Sequence, residues 1–316
     1  MIEVERLSKS FGGRPAVREI SFKVERGEIL GFLGPNGAGK TTTMRILTCY
    51  LPATSGTARV AGFDVFDQSL EVRRRVGYLP ENPPLYDEMT VRAYLAFAAR
   101  IKGVPRRQVR ARVDAVSAQC GLSGVLDRVI GHLSRGFRQR VGLGQALVHD
   151  PAVLILDEPT VGLDPAQIVE IRQVIKALAG ERTIVFSTHI LPEVTATCTS
   201  VFIINDGQAV FSGALSEVAS GGTRGTRKLQ LRVARDGAVV AQELATLPGV
   251  IGVAGDAGSR PGSYVLTVDA ASEQSEIVAQ RVVERGWGLI ELTPVTPALE
   301  DIYLSLISGT RQGEAA

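Results

Sequence analysis

Along residues 1–65, apolar and polar positions alternate in short pieces such as IEVERL, EISFKV and TARVAG. A period of two predicts antiparallel strands with one buried and one wet face. From Ile29 the pattern changes: ILGFLG is apolar on both faces, a glycine-rich turn follows, and KTTTMRILTCYL repeats at helical period. AVLIL (152–156), TIVFS (183–187) and SVFII (200–204) are further apolar runs of strand length, with helical patterns such as PAQIVEIRQVIKALAG between some of them. Apolar strands alternating with helices predict a mostly parallel sheet covered on both sides, an α/β fold.

Residues 84–149 hold no strand-like run. TVRAYLAFAARIKG and RRQVRARVDAVSAQCG have helical period and end at glycines, which predicts a helical insertion in the α/β core. VGYLPENPPLYDEMT, from Val76, reads as a strand end, a proline-broken loop and a helix start at Thr90. SGGTRGTRK (220–228) reads as a linker. KLQLRVA, GAVVAQELATLPG, VIGVAG, SYVLTVDA, SEQSEIVAQRVVERG and GLIELTP then run strand, helix, strand, strand, helix, strand, the ferredoxin-like order. TPALEDIYLSLIS predicts a last helix capped by Thr296, and GTRQGEAA a disordered tail. The expected organisation is a first domain over 1–219, its helical subdomain at about 84–149, a linker at 220–227, an α+β accessory domain over 228–309 and a tail over 310–316.

Composition changes this picture little. The 316 residues are 45% hydrophobic and 22% charged, which suits a soluble chain of about two domains. A net charge of +2 gives no bulk case for nucleic acid, and none is expected as a partner. Arg73–Arg75 and the group Arg106, Arg107, Arg110 and Arg112 read as solvated helix faces rather than as nucleic-acid or membrane footprints. Cys49, Cys120 and Cys198 lack metal spacing and are expected to be buried, reduced thiols of a cytosolic protein. His132, His149 and His189 are too scattered to suggest a metal site. No apolar run approaches the roughly 18–20 residues of a membrane helix, and MIEVERLSKS carries no signal core. Action at a membrane would need another chain to supply the span.

Chemistry concentrates at strand ends. GPNGAGKT (34–41) fits G-x-x-x-x-G-K-[ST] in full, with an apolar strand before it and a helix after it. Glycines let backbone N–H groups cradle phosphate oxygens, and the helix N-terminus adds its dipole. Lys40 is then placed for β- and γ-phosphates and Thr41 for Mg²⁺. AVLILDEPT ends a strand in Asp157 and Glu158. One acid there can hold Mg²⁺ through its waters and the other can take a proton from attacking water. LSRGFRQR opens a helix with Ser134 at its N-cap and Gly136 beside it, either a plain capped helix or a phosphate-binding end. His189 in STHI also follows a strand, and alone it reads equally as a γ-phosphate partner or a satisfied structural histidine.

In this order and spacing the motifs resemble the ATPase subunits of ABC transporters over residues 1 to about 215. The matching pieces are the phosphate loop Gly34, Pro35, Asn36, Gly37, Ala38, Gly39, Lys40, Thr41 and Thr42, the Walker B strand Val153–Glu158, the D-loop GLDP with Asp164, and the switch His189. Phe11 takes the place of the aromatic residue that stacks on adenine. The signature departs from the family's LSGGQ, with Arg135 and Phe137 between and after the retained Ser134 and Gly136. The resemblance implies a P-loop NTPase core and an ATP–Mg²⁺ site with Glu158 as base. It also implies a head-to-tail homodimer that sandwiches ATP, separate transmembrane permease subunits, and a peripheral position on the cytoplasmic face. Where the family has glutamine after the loop proline, this chain has Glu81, implied to touch Mg²⁺ and the attacking water. That variant and the stretch ELTPVTPALEDIYLSLI resemble ABC-2 exporters, including gliding-motility, copper-maturation and drug-resistance types. Two other readings are a soluble ATPase acting on DNA or ribosomes and a non-hydrolysing scaffold. The single motif set and the lack of room for a long coiled coil weigh against the first, and intact Lys40, Asp157, Glu158 and His189 against the second.

Overall fold

The computed structural model describes residues 1–215, 226–235, 237–255, 261–269, 274–295 and 303. The chain divides into two compact units, Met1–Leu215 and Ser216–Ala316.

The first unit runs β1 (Ile2–Phe11), β2 (Arg14–Val24), β3 (Ile29–Leu33), α1 (Lys40–Leu47), β4 (Ser55–Val60), β5 (Phe63–Asp64), α2 (Ser69–Arg75) and β6 (Val76–Leu79). It continues with α3 (Val91–Ile101), α4 (Arg106–Gln119), α5 (Arg135–Leu147), β7 (Val153–Asp157), α6 (Pro165–Ala177), β8 (Thr183–Thr188), α7 (Leu191–Thr197), β9 (Ser200–Asn205) and β10 (Gln208–Ala214). One sheet, ordered β2-β1-β4-β5, is antiparallel. The other, ordered β10-β9-β3-β8-β7-β6, is parallel except for β10. Every residue of β3, β7, β8 and β9 is buried, as strands covered on both faces require.

Two hairpins were not marked by periodicity alone. Gly12-Gly13 joins β1 to β2, and Asp206-Gly207 joins β9 to β10. All four residues have positive φ, the requirement of a type I′ turn. The phenyl rings of Phe22, Phe32 and Phe202 meet at centroid distances of 4.7–5.6 Å and bind the antiparallel sheet to the mixed sheet.

The segment expected to be helical contains α3, α4 and α5, which pack on one another. Thr90 caps α3 by accepting from the Ala93 amide at 3.2 Å. α5 also lies on β6. There a Cβ on Gly77 would come within 2.1 Å of the Ala146 carbonyl oxygen. Backbone cannot yield cheaply, so Gly77→Ala is expected to lower unfolding free energy by about 1–3 kcal/mol, measured by urea titration.

The short elements β5, α2, α7 and β10 were not legible in the chain's pattern. α2 carries Arg73–Arg75: Arg74 and Arg75 pair with Glu71 at 2.8 and 2.6 Å, and Arg73 donates to the Cys49 carbonyl at 2.7 Å. Cys120 and Cys198 are buried, and burial pushes both thiols up to about 12. Cys49 is only partly buried, a correction to the expectation, because it sits at the turn that ends α1.

The second unit contains β11 (Thr226–Val233), α8 (Ala238–Ala245), β12 (Val250–Gly255), β13 (Ser263–Asp269), α9 (Gln274–Glu284) and β14 (Leu289–Val295). Its sheet is antiparallel in the order β12-β13-β11-β14, the ferredoxin-like arrangement. Leu229, Leu231 and Leu266 from the strands and Val240, Leu244, Val278 and Val282 from the helices form its core. β11 begins at Thr226, so the last two positions of the expected linker are strand. The linker's remaining residues, Thr296 and its helix apart from Tyr303, and the tail lie outside the described residues. Among the described residues, no helix is long and apolar enough to cross a membrane.

Candidate functional site

The loop between β3 and α1 is shaped by its glycines. Gly37 and Gly39 have φ of 82° and 108°, which side-chain-bearing residues rarely adopt. A Cβ on Gly34 would meet the Ile204 carbonyl oxygen at 2.3 Å. Ala38 is buried beneath the loop. No acid or capping side chain occupies the N-terminus of α1, so its first amides are available to an anion.

Lys40 is 6% exposed, and its Nζ donates to the carbonyls of Gly34 at 2.7 Å and Pro35 at 3.2 Å. It also lies 3.2 Å from Glu158 Oε1. That approach is an ion pair rather than an aligned hydrogen bond, since Oε1 has no hydrogen-bond partner. Glu158 Oε2 faces His189 Nδ1 at 3.0 Å. A carboxylate only accepts, so Nδ1 carries the proton in this contact. Glu158 thus stands between the site's two basic side chains.

A cavity of about 340 Å³ is lined by Asn36, Gly37, Gly39, Lys40, Thr41, Thr42, Glu81, Glu158, Val161 and His189. Glu81, exposed in the loop after β6, therefore shares one hollow with the phosphate loop and both candidate catalytic groups. Asp157 lies directly beneath at 1% exposure. Its Oδ1 accepts from Thr41 Oγ1 at 3.2 Å and from Ser187 Oγ at 2.7 Å, while its buried Oδ2 has no hydrogen-bond partner. A hydroxyl beside a buried carboxylate with one unsatisfied oxygen is a donor set that suits Mg²⁺, which prefers hard oxygens and keeps part of its water shell.

Eight expected residues do not line this cavity: Gly34, Pro35 and Ala38 of the loop, Asp157 beneath it, and Phe11, Ser134, Gly136 and Asp164. Phe11 ends β1, half exposed, with the Lys9 ammonium over its ring at 5.2 Å. Ser134 caps α5 by accepting from the Phe137 amide at 3.5 Å, and Asp164 caps α6 by accepting from the Gln167 amide at 2.9 Å. Gly136 lies so close to Gln167 that a Cβ there would collide with its amide. Ser134, Gly136 and Asp164 thus gather where α5 meets α6, outside the cavity wall. Sequence reasoning missed Val161 and Ser187. Strand register would have found Ser187, which pairs with Asp157 across β7 and β8.

A glycine-shaped loop, a buried lysine and strand-end acids at or beneath one hollow are the marks of the P-loop nucleotide-binding fold. Residues 17–161 match the ABC transporter family. The chain is 40% identical to the ABC transporter ATP-binding protein NatA of Bacillus subtilis, over 64% of this chain and 83% of that protein. It is 38% identical to the Nod factor export ATP-binding protein I of Paraburkholderia xenovorans, over 68% of this chain and 71% of that protein. A solved ATP-binding subunit of an ABC transporter superposes with a TM-score of 0.64 at 30% identity, covering 69% of this chain and 91% of that one. The chain belongs to the ATP-binding proteins of ABC transporters.

Proposed function

We propose that this chain is the ATP-hydrolysing motor of a membrane exporter. The observation that carries the reading is the convergence of Lys40, Thr41, Glu81, Glu158 and His189 on one cavity, with Asp157 beneath it. The phosphate loop and α1 N-terminus hold the β- and γ-phosphates, Phe11 stacks on adenine, and Lys40 meets the γ-phosphate. Thr41 and Asp157 would hold Mg²⁺, which neutralises phosphate charge when bound. Glu158 accepts the proton of the attacking water, and His189 donates a ring N–H to a γ-phosphate oxygen.

Ser134 and Gly136 lie outside the cavity wall, which supports a site completed by a second chain. In this reading two copies pair head to tail, and each ATP lies between one copy's phosphate loop and the other's α5 N-terminus. Asp164 lies at the same seam. Hydrolysis removes the bridging charge and the pair opens. Separate transmembrane permease subunits receive that motion and hold the dimer on the cytoplasmic face of the membrane. Export is supported by the likeness to the Nod factor export protein and by Glu81. Residues 1–219 form the motor, and residues 228–309 an accessory domain that steadies or regulates the dimer.

The test is steady-state phosphate release by purified chain with ATP and Mg²⁺, together with sedimentation with and without ATP. A chain that binds ATP yet releases no phosphate at any protein concentration sinks the reading. Glu81→Gln removes one charge at the cavity rim. It is expected to raise the Mg²⁺ concentration for half-maximal hydrolysis by about fivefold, the effect of one partly solvated charge at close range. Its unfolding temperature should match wild type, because Glu81 is exposed. Unaltered metal dependence would show that the charge has no special part.

A further inference from the structure

We propose that Ser187 is a positioning residue that aims both strand-end acids through one buried hydroxyl. The inference rests on the ATPase reading above. β7 and β8 run parallel with Asp157 opposite Ser187. Ser187 is 0% exposed and does not line the cavity, so it acts on substrate only through its neighbours.

A serine hydroxyl has one proton to give and lone pairs to accept with. Here the proton goes to Asp157 Oδ1 at 2.7 Å, and the oxygen accepts from the Glu158 amide at 3.0 Å. The two contacts fall on consecutive residues. With Thr41 also on Oδ1, the first contact commits that oxygen and leaves Oδ2 without a partner, the oxygen that would be open to a bound metal or its waters. Without Ser187 only Thr41 holds the carboxylate, whose plane can then turn about χ2, and the direction of its open oxygen is no longer fixed.

The second contact acts on backbone. Glu158 has φ of 48°, a strained conformation for a side-chain-bearing residue. Its amide is held by both the hydroxyl and, at 3.2 Å, the carbonyl of Ser187. Strained conformations persist where surrounding contacts over-determine them. That conformation turns the Glu158 carboxylate between Lys40 and His189 instead of along the strand. One side chain therefore sets the open oxygen of the metal ligand and the direction of the base.

The experiment compares wild type, Ser187→Ala and Ser187→Thr in full-length protein. Binding of a fluorescent ATP analogue is measured in EDTA and through a Mg²⁺ titration, and kcat, KM and thermal unfolding are measured alongside. Ser187→Ala is expected to bind the analogue in EDTA as wild type does. The Mg²⁺ concentration for half-maximal binding should rise and kcat should fall, each by about 10–100-fold, the usual cost of losing a ligand's own partner. Ser187→Thr restores the hydroxyl on a residue suited to a strand and should return both values toward wild type. If its extra methyl disrupts packing, seen as a lowered unfolding temperature, the alanine comparison decides alone. Unchanged Mg²⁺ dependence and kcat in Ser187→Ala would overturn the proposal. So would EDTA binding that falls in step with kcat, which marks a purely structural role. A wild-type chain that binds nucleotide without hydrolysing it would overturn the ATPase reading instead, and the Mg²⁺ titration of binding would still decide Ser187.

Discussion

Glu158→Gln is expected to hold ATP at least as tightly as wild type, to accumulate as a dimer with ATP, and to lose turnover by about 100- to 10,000-fold. The amide cannot take the proton that the proposed mechanism assigns to the carboxylate. The affinity expectation comes from the resting geometry. Glu158 Oε1 sits 3.2 Å from the Lys40 ammonium, where it competes with phosphate oxygens for the same cation. Glutamine carries no charge to compete with, and Lys40 keeps its two carbonyl partners in the loop. Phosphate release and size-exclusion chromatography with ATP check both halves. Turnover at the wild-type rate would remove Glu158 from the role of base.

Lys40→Ala acts in the opposite sense. It removes the buried cation of the phosphate loop, and a hydrogen bond to a charged group contributes about 1.5–3 kcal/mol. Nucleotide affinity should therefore fall by about 10- to 100-fold, read by calorimetry. The substitution also strips Glu158 of its ion pair at 5% exposure. Removing one member of a buried pair typically costs about 3–5 kcal/mol, eased here because His189 still donates to the other oxygen. A lowered unfolding temperature without nucleotide should accompany the affinity loss. Undiminished ATP binding would dispose of the phosphate-loop assignment. Comparison with Glu158→Gln separates the two effects, since only Lys40→Ala leaves an anion without its partner.

Much of the fold was legible because it depends on long, repeated patterns. The unbroken apolar runs at β3, β7, β8 and β9 allow only buried strands, and GPNGAGKT between strand and helix permits little else. The ferredoxin-like unit came from element order alone. The short elements were not legible for a physical reason. α7 has only seven residues and β5 two, too few to display a period. The site was half legible. Lys40, Thr41, Asp157, Glu158 and His189 carry chemistry that their types announce. Ser187 does not, because a serine on a strand end looks like any other until β7 and β8 are laid side by side. Glu81 was ambiguous in sequence, and its position on the rim of the shared cavity comes from the loop's path after β6.

The contact of Phe22, Phe32 and Phe202 bears on how force passes through the first unit. Phe22 belongs to β2, which pairs with the strand that ends in Phe11, and Phe32 lies in the strand that leads into the phosphate loop. The three rings pack the partner of the strand that ends in Phe11 against the strand that leads into the phosphate loop. Relative sliding of the two sheets would have to break this ring contact. In the proposed motor, a change at the γ-phosphate would then be passed on through the exposed loop at Glu81 rather than by sliding of the sheets.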